Sequence, residues 1–155
     1  MSIYNLLKEN IGKFDNWQMP SDQQLKLEFK VEHELKRNSF FNSEQDFLTR
    51  VKRAKVEEIT PSDDAEIDYR SGTSSKSELL NLIRSYRSYP EFRNEDTIDA
   101  IYEGFANGAP MDYPIVLEFS NGARRVFSGN TRMDIAFQMN INPKVLIVQS
   151  DKDYY

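Results

Sequence analysis

The C-terminal part of the chain contains a hairpin pattern that leads directly into a glycine turn and a helix. Strand-like runs at 115–119 and 123–127 flank Asn121-Gly122, a pair that favours a tight turn between two antiparallel strands. The second run continues into the turn residues without a break, and residues 131–139 are predicted to form a helix. The pattern therefore fixes two neighbouring strands and a helix that begins where the second of them ends.

The start of this helix is where the sequence predicts a site for an anion, and a phosphate is the expected ligand. The N–H groups of a first helical turn have no partner inside the helix, and the helix dipole favours negative charge there. Backbone N–H groups of 129–131 would contact the phosphate, and the cation that follows would neutralise it. We assign this site to five consecutive residues: Ser128, Gly129, Asn130, Thr131 and Arg132.

The charge distribution agrees with a local anion site. The whole chain carries a net charge of −5, which argues against a general, non-specific nucleic-acid binder. Residues 121–148 nevertheless hold four basic residues and one acid, a balance of +3, whereas 57–68 hold six acids and no base. A solvated basic edge strand would produce the same local charge, so that alternative stays open.

Composition excludes several kinds of site. The chain has no cysteine, which rules out disulfides, thiolate metal sites and thiol nucleophiles. His33 is the only histidine, so a zinc site or a histidine-based triad is not expected. No apolar run is long enough to span a membrane, and residues 1–10 lack the pattern of a signal peptide. We expect a cytoplasmic protein.

The remaining periodicity predicts an α/β (α+β) protein with a small mixed sheet flanked by helices. Helices are expected at 44–55 after an N-cap at Ser43, at 76–88, and after Asn94. Short strands are expected at 56–59 and 144–148, and a long loop at 62–75. Leu25, Leu27 and Phe29 alternate with charged residues, which favours a strand, although a helix is not ruled out there. We divide the chain into an N-terminal extension, 1–42, and a main domain, 43–155.

The order strand, hairpin, strand, Gly-x-x-Arg, helix, strand resembles the core of the ParB/sulfiredoxin superfamily. The resemblance rests on three blocks: Pro114-Ile115-Val116-Leu117-Glu118-Phe119, Val126-Phe127-Ser128-Gly129-Asn130-Thr131-Arg132 and Pro143-Lys144-Val145-Leu146-Ile147-Val148. It implies a ParB/sulfiredoxin-like fold and nucleotide phosphates bound at Gly129, Asn130, Thr131 and Arg132. Through Tyr69-Arg70-Ser71, Arg87-Ser88-Tyr89-Pro90 and Phe92-Arg93-Asn94, the whole chain also resembles uncharacterised ParB-like proteins of large tailed phages. That resemblance would place it in the host cytoplasm.

The chain departs from the family pattern in ways that limit its function. Sulfiredoxins carry their catalytic cysteine where this chain has Asn130, so it is not a sulfiredoxin. Their histidine corresponds to Thr131. Partition proteins of the family carry Glu-Arg at these two positions and have a helix-turn-helix domain after this core. We therefore do not expect sequence-specific DNA partition.

For several other residues the sequence leaves two possible roles open. Asp134 with Thr131 fits a capping box, but it is also the weak candidate for a general base or metal ligand beside a bound phosphate. Arg125 would face either the site or water. Arg87 and Arg93 lie among aromatic residues. This combination is typical either of binding to nucleic acid or of ordinary packing at the end of a helix. The hydroxyl-rich segment 69–75 is either a linker or a lid.

Two functional hypotheses follow. In the first, the chain binds a nucleotide or another phosphate, with ATP and Mg²⁺ as the expected cofactors and no dedicated metal site in the protein. If it is an enzyme, it is an ATP-dependent phosphotransferase or a nuclease. In the second, the same scaffold is a non-catalytic module that contacts a protein or nucleic acid through residues 1–55 and 84–93.

Overall fold

A five-stranded mixed sheet forms the core of the protein. The computed structural model describes residues 14–34, 40–64, 67–68 and 95–152. Within these ranges the elements are, in chain order, β1 (Trp17–Gln18), α1 (Asp22–Glu34), α2 (Glu44–Lys52), β2 (Lys55–Glu58), α3 (Pro61–Asp64), β3 (Ile67–Asp68), α4 (Glu95–Asn107), β4 (Met111–Asp112), β5 (Ile115–Glu118), β6 (Arg124–Ser128), α5 (Asn130–Gln138) and β7 (Lys144–Gln149). None of the helices in these ranges is long and apolar enough to cross a membrane.

The sheet has the order β2-β7-β5-β6-β3. Strand β5 pairs antiparallel with β6 and parallel with β7, while β2 is antiparallel to β7 and β3 is parallel to β6. The predicted α+β class with a mixed sheet is therefore confirmed. The apolar segment predicted at 144–148 is also confirmed as an interior strand, since β7 lies between β2 and β5.

Alternation along the strands divides the core into two faces. Ile115 and Leu117 of β5 pack on one side of the sheet, and Val116 packs on the other. Helices α1 and α2 cover the first side. Helix α5 covers the second side through Met133 and Phe137. Because Gly129 joins β6 to α5, the predicted anion site lies at the end of the sheet between these two layers.

The strand predicted around Leu25 is wrong, because residues 22–34 form helix α1. The Ser21 hydroxyl accepts a hydrogen bond from the Gln24 backbone N–H at 3.1 Å, so Ser21 acts as the N-cap. Leu25 and Phe29, four positions apart, are buried, whereas Leu27 is 55% exposed. The alternation was misleading because both buried residues also fit helical spacing.

Helix α1 shares its core with the main domain. Leu25 and Phe29 belong to the same cluster of buried side chains as Ile115, Phe127 and Leu146 of the central sheet. The Phe29 and Phe47 ring centroids are 5.6 Å apart. Helix α1, which falls within the predicted extension, is therefore packed against the sheet.

The predicted β5–β6 hairpin is confirmed, and so is helix α2, although the helix ends at Lys52 and not at residue 55. Ser43 caps α2 by accepting a hydrogen bond from the Asp46 backbone N–H at 3.0 Å. The buried residues Phe47, Leu48 and Val51 lie on one face of this helix. In the hairpin, the Gly122 N–H donates to the Phe119 carbonyl at 2.9 Å, and Gly122 has φ +83°.

The prediction of a continuous loop at 62–75 is wrong in its first part. Helix α3 begins there because Thr60 and Asp63 cap each other: the Thr60 backbone N–H donates to Asp63 Oδ2 at 3.0 Å, and the Asp63 N–H donates to Thr60 Oγ1 at 3.3 Å. Ile67 is buried and begins an edge strand. Residues 69–75 and the helix predicted at 76–88 lie outside the described residues.

A second apolar cluster packs α4 and the two-stranded sheet against the outer side of α5. Phe105 of α4, Trp17 of β1 and Met111 of β4 contact Ile135 and Met139 of α5 in this cluster. The helix predicted after Asn94 is confirmed as α4, and Gly108 with φ +70° follows its last residue. Helix α5 is thus enclosed on two sides, and its first turn remains at the end of the sheet.

Candidate anion-binding site

The site begins at Gly129, the N-cap of α5. Gly129 has φ 97° and ψ 22°, a left-handed conformation that L side chains rarely adopt. A Cβ built on Gly129 would lie 2.7 Å from the Pro114 Cβ and 2.9 Å from the Pro114 Cα. Glycine is therefore needed both for the turn and for the close approach of the β4–β5 connection.

The first turn of α5 has backbone N–H groups for a ligand. The first internal bond from Gly129 runs from the Met133 N–H to the Gly129 carbonyl at 2.9 Å, so the N–H groups of 130–132 precede the internal ladder. The N-cap residue itself, Gly129, makes no side-chain capping hydrogen bond. Ser128 is buried at the end of β6, and Thr131 is half-buried. The Asn130 side chain lies outside the described part of the structure.

The Arg132 guanidinium is enclosed beside this turn. Its Nε and Nη2 atoms are shielded from solvent and have no hydrogen-bond partner among the described residues. Nη2 lies 3.0 Å from the position that a Cβ on Gly129 would occupy, which places the guanidinium against the glycine. An enclosed arginine with unused donors is costly unless something accepts its hydrogen bonds. The structure thus provides two strong hydrogen-bond donors, Arg132 Nε and Nη2, at the N-terminus of α5.

Two carboxylates on other secondary-structure elements interact electrostatically with Arg132. Burial lowers the pKa of Arg132 below its ordinary value, while the charges of Glu28 on α1 and Asp112 on β4 raise it. Neither carboxylate forms an ion pair with Arg132, since no N···O separation is within 4.0 Å. Asp112 Oδ1 instead accepts from Gln18 Nε2 at 2.9 Å. Arg132 therefore lies in a partly compensated environment without a direct anionic partner from the described residues.

The predicted capping box of Thr131 and Asp134 is wrong. The helix begins at Asn130 after Gly129, so Asp134 lies beyond the first turn. Asp134 is only 1% exposed, and its Oδ2 accepts from Gln138 Nε2 at 3.0 Å. Tyr102 of α4 in turn donates its hydroxyl to Gln138. Asp134 thus belongs to a polar network between α4 and α5, and its burial argues against its role as an accessible base.

The two consecutive arginines of β6 lie away from Gly129, at the opposite end of the strand. Arg124 donates to Glu57 at 2.5 Å and to Glu118 at 3.0 Å. Arg125, the other predicted contact, places its guanidinium 5.5 Å from the Phe40 ring centroid on the α1–α2 side. The structure therefore does not bring Arg125 together with Arg132. Arg87 and Arg93 lie outside the described residues.

Sequence reasoning found Gly129 and Arg132 but missed the groups that surround them. In the sequence, Pro114 enters only as the first residue of one block that carries the family resemblance, and neither Glu28 nor Asp112 is predicted at the site. Since each comes from a segment distant along the chain, no local pattern connects them to Arg132.

The described residues hold no group of three histidine or acidic side chains that could bind a metal ion. Three surface pockets, of about 540, 450 and 300 Å³, are lined by residues other than Gly129 and Arg132. Comparisons of the chain with protein-family models, with curated proteins and with solved structures found no match.

Proposed function

We propose that this chain is a phosphate-binding protein with a ParB/sulfiredoxin-like core, and that a nucleotide is its ligand. The observation that carries the proposal is the pair of enclosed Arg132 donors, which have no partner in the part of the chain that the structure describes and lie beside the left-handed Gly129. A phosphate would accept from Nε and Nη2, and the N–H groups of the first turn of α5 would add further donors. Arginine suits this role because its fork of donors matches two phosphate oxygens.

The arrangement of elements supports the family part of the proposal. Strand β5, the hairpin, β6, the Gly-x-x-Arg turn, α5 and β7 follow one another in the order that the resemblance implies. Strands β5 and β7 are parallel neighbours, joined across one face of the sheet by α5.

The proposal is for binding rather than turnover. Asp134 is buried and hydrogen-bonded to Gln138, so it does not supply the base that a phosphotransferase or nuclease would need. If the ligand is ATP or another nucleotide, Mg²⁺ would be held mainly by the phosphate oxygens and water. The chain's own contribution is charge neutralisation by Arg132 and hydrogen bonding by the first turn of α5.

One observation favours the alternative of an interaction module. A concave surface of about 540 Å³ lies along α1 and α2 and is lined by Gln23, Lys26, Leu27, Phe29, Lys30 and Glu44. It falls within residues 1–55, the region expected to contact a partner. Its exposed leucine and two lysines would suit an acidic, partly apolar surface. This surface does not involve Arg132, so the two hypotheses respond to different substitutions.

A thermal-shift titration of the full chain tests the proposal. The ligands are inorganic phosphate, pyrophosphate, ATP, ADP, CTP and GTP, with and without Mg²⁺. We expect at least one of them to raise the melting temperature, because a ligand that binds only the folded state stabilises it. Arg132→Met should abolish the shift, while Arg53→Met, which removes an exposed arginine at the end of α2, should keep it. The proposal fails if no ligand produces a shift, or if Arg132→Met retains the full shift.

A further inference from the structure

Strand β2 forms one edge of the five-stranded sheet and carries an exposed apolar side chain. It pairs with β7 on one side, and within the described ranges no strand pairs with it on the other. The side chain of Val56, in the middle of this strand, is 48% exposed. An open edge with an exposed valine is a surface to which another strand can add by backbone hydrogen bonding.

The backbone hydrogen bonds show which groups of β2 face this open edge. The Ile59 N–H donates to the Pro143 carbonyl at 2.8 Å, and this pair continues the antiparallel register of β2 and β7. Because backbone groups alternate in direction along a strand, residues 55 and 57 also face β7, and the N–H and C=O of Val56 face outward. In agreement, Leu146 lies opposite Val56 and donates its N–H to Pro114 at 2.9 Å, on the β5 side.

The charges along this edge complement their own reverse order. The three charged residues that most closely precede Val56 are all basic, and the three that most closely follow it are all acidic: Lys52, Arg53 and Lys55 before it, and Glu57, Glu58 and Asp63 after it. Antiparallel pairing with β2 of a second copy therefore brings the basic end of each copy beside the acidic end of the other. Opposite charges across a strand pair stabilise it, and they also steer the encounter.

Of the four residues of β2, only Val56 can lie on the two-fold axis of such a pair without placing like charges together. In an antiparallel pair related by a two-fold axis, the residue on the axis lies opposite itself. An axis at Lys55, Glu57 or Glu58 would place two identical charges directly opposite each other, which destabilises the pair. An axis at Val56 instead places the two exposed valines together and puts Lys55 of each copy opposite Glu57 of the other.

The side chains of Lys55 and Glu57 are available for this contact. Lys55 is exposed, and Glu57 is half-buried. Arg124 donates to Oε2 of Glu57 at 2.5 Å, which leaves Oε1 to accept from a second donor. A carboxylate can accept several hydrogen bonds, so the Lys55 ammonium of a second copy would add to the bond from Arg124 without displacing it.

We propose that the open edge of β2 is an interface between two copies of this chain, whose β2 strands pair antiparallel about Val56 and join the two sheets into one. The Val56 N–H of each copy donates to the Val56 carbonyl of the other, and two Lys55–Glu57 pairs flank these bonds. A contact of four residues buries little surface, so we expect a weak dimer with a dissociation constant on the order of 100 µM. The interface does not include Gly129 or Arg132, so it is independent of the proposed phosphate site.

Sedimentation velocity of the full chain, at concentrations from about 10 µM to about 1 mM, tests the proposal around the expected dissociation constant. We expect the sedimentation coefficient to rise from that of a monomer towards that of a dimer. Lys55→Glu should weaken association about tenfold or more, because it places carboxylates opposite Glu57 on both sides of the axis. Lys26→Glu makes the same change at an exposed lysine of α1 and should leave association unchanged.

A mixture of two charge-reversed variants tests the register. Lys55→Glu alone and Glu57→Lys alone should each associate weakly, because like charges then lie opposite each other. In the mixed dimer each reversed charge lies opposite one of the other sign, so the mixture should recover the wild-type affinity. Val56→Pro serves if Glu57→Lys does not fold: it removes an outward N–H that β7 does not use, so it should keep the melting temperature and abolish association.

A wild-type chain that stays monomeric at about 1 mM, ten times the expected dissociation constant, would overturn the proposal. The edge of β2 would then be left to a strand of a different protein or to solvent. Association that persists unchanged in Lys55→Glu or in Val56→Pro would overturn it as well. So would association that is lost in Lys26→Glu, because the contact would then lie along α1, and so would a mixture of folded variants that does not recover affinity.

Discussion

Pro114 packs directly onto Gly129, so that a Cβ at position 129 would lie 2.7 Å from the Pro114 Cβ and 2.9 Å from its Cα. The contact holds the start of β5 against the turn that opens α5. It also fixes the position of the first helical turn relative to Arg132, whose Nη2 is 3.0 Å from the same Cβ position. The close approach of the backbone and the left-handed turn have one common requirement, the absence of a side chain.

Gly129→Ala should therefore be strongly destabilising. The left-handed backbone costs about 1–2 kcal/mol for a residue with a Cβ. The clash with Pro114 adds about 1–3 kcal/mol, as for an overpacked core. Gly122→Ala is the matched control, because Gly122 has φ +83° but nothing within 4 Å of its Cβ position. Urea unfolding should show a loss of about 2–5 kcal/mol for Gly129→Ala and about 1–2 kcal/mol for Gly122→Ala. Equal losses would contradict the close contact.

The enclosed charges at the site should cost the protein stability. Glu28 and Arg132 form no ion pair with each other, so replacing both with uncharged groups of similar volume removes two desolvation costs; even for paired buried charges such a replacement is commonly neutral or stabilising, by about 1–4 kcal/mol. The double variant Glu28→Gln/Arg132→Met should thus unfold at the same or a higher urea concentration than the wild type. The single variant Arg132→Met should be less stable than the double one, since it leaves the Glu28 carboxylate enclosed without an opposite charge. A double variant clearly less stable than either single variant would show that the charges serve the fold.

Acid should weaken the attachment of α2 through Asp46. The Asn42 backbone N–H donates to Asp46 Oδ2 at 3.0 Å, and Arg50 Nε donates to Oδ1 at 2.9 Å. These hydrogen bonds lower the pKa of Asp46 below its ordinary value. A carboxyl with a lowered folded pKa adds stability that is complete above its unfolded pKa of about 3.9 and is lost as the pH falls through the folded value.

Asp46→Asn should therefore reduce the free energy of unfolding by about 1 kcal/mol at pH 7, because a charge-assisted hydrogen bond becomes a neutral one. The difference from the wild type should shrink as the pH falls below about 4. Glu44→Gln, an exposed acid in the same first turn, is the control and should show a smaller effect. A difference that stays constant down to pH 2 would refute the role assigned to Asp46.

The parts of the fold that depend on local chemistry could be predicted from the sequence. The hairpin, the Ser43 cap and the glycine turn into α5 each depend on residues adjacent along the chain. Helix α1 could not be assigned, because Leu25 and Phe29 fit both a strand and a helix, and only packing against the sheet distinguishes them. The start of α5 was misplaced by one residue because a capping-box pattern was chosen over a glycine N-cap.

Only those residues of the candidate site that lie close together in the sequence could be predicted. Gly129 and Arg132 belong to one short motif, so the sequence alone indicated both. Glu28 and Asp112 act on Arg132 through tertiary packing that no local spacing encodes. The close approach of Pro114 to Gly129 beside the guanidinium likewise depends on how the β4–β5 connection meets the end of the sheet.

The most direct test of the account observes the Arg132 guanidinium itself. A ¹H–¹⁵N spectrum of the arginine Nε–H groups, with the Arg132 signal assigned by its absence in Arg132→Met, can be followed during titration with inorganic phosphate and then with ATP. We predict that the Arg132 signal moves saturably, while that of exposed Arg53 moves little. A signal from Arg132 that stays in place as either ligand is added, with ligand-dependent changes confined to other arginines, would contradict the assignment of the anion site.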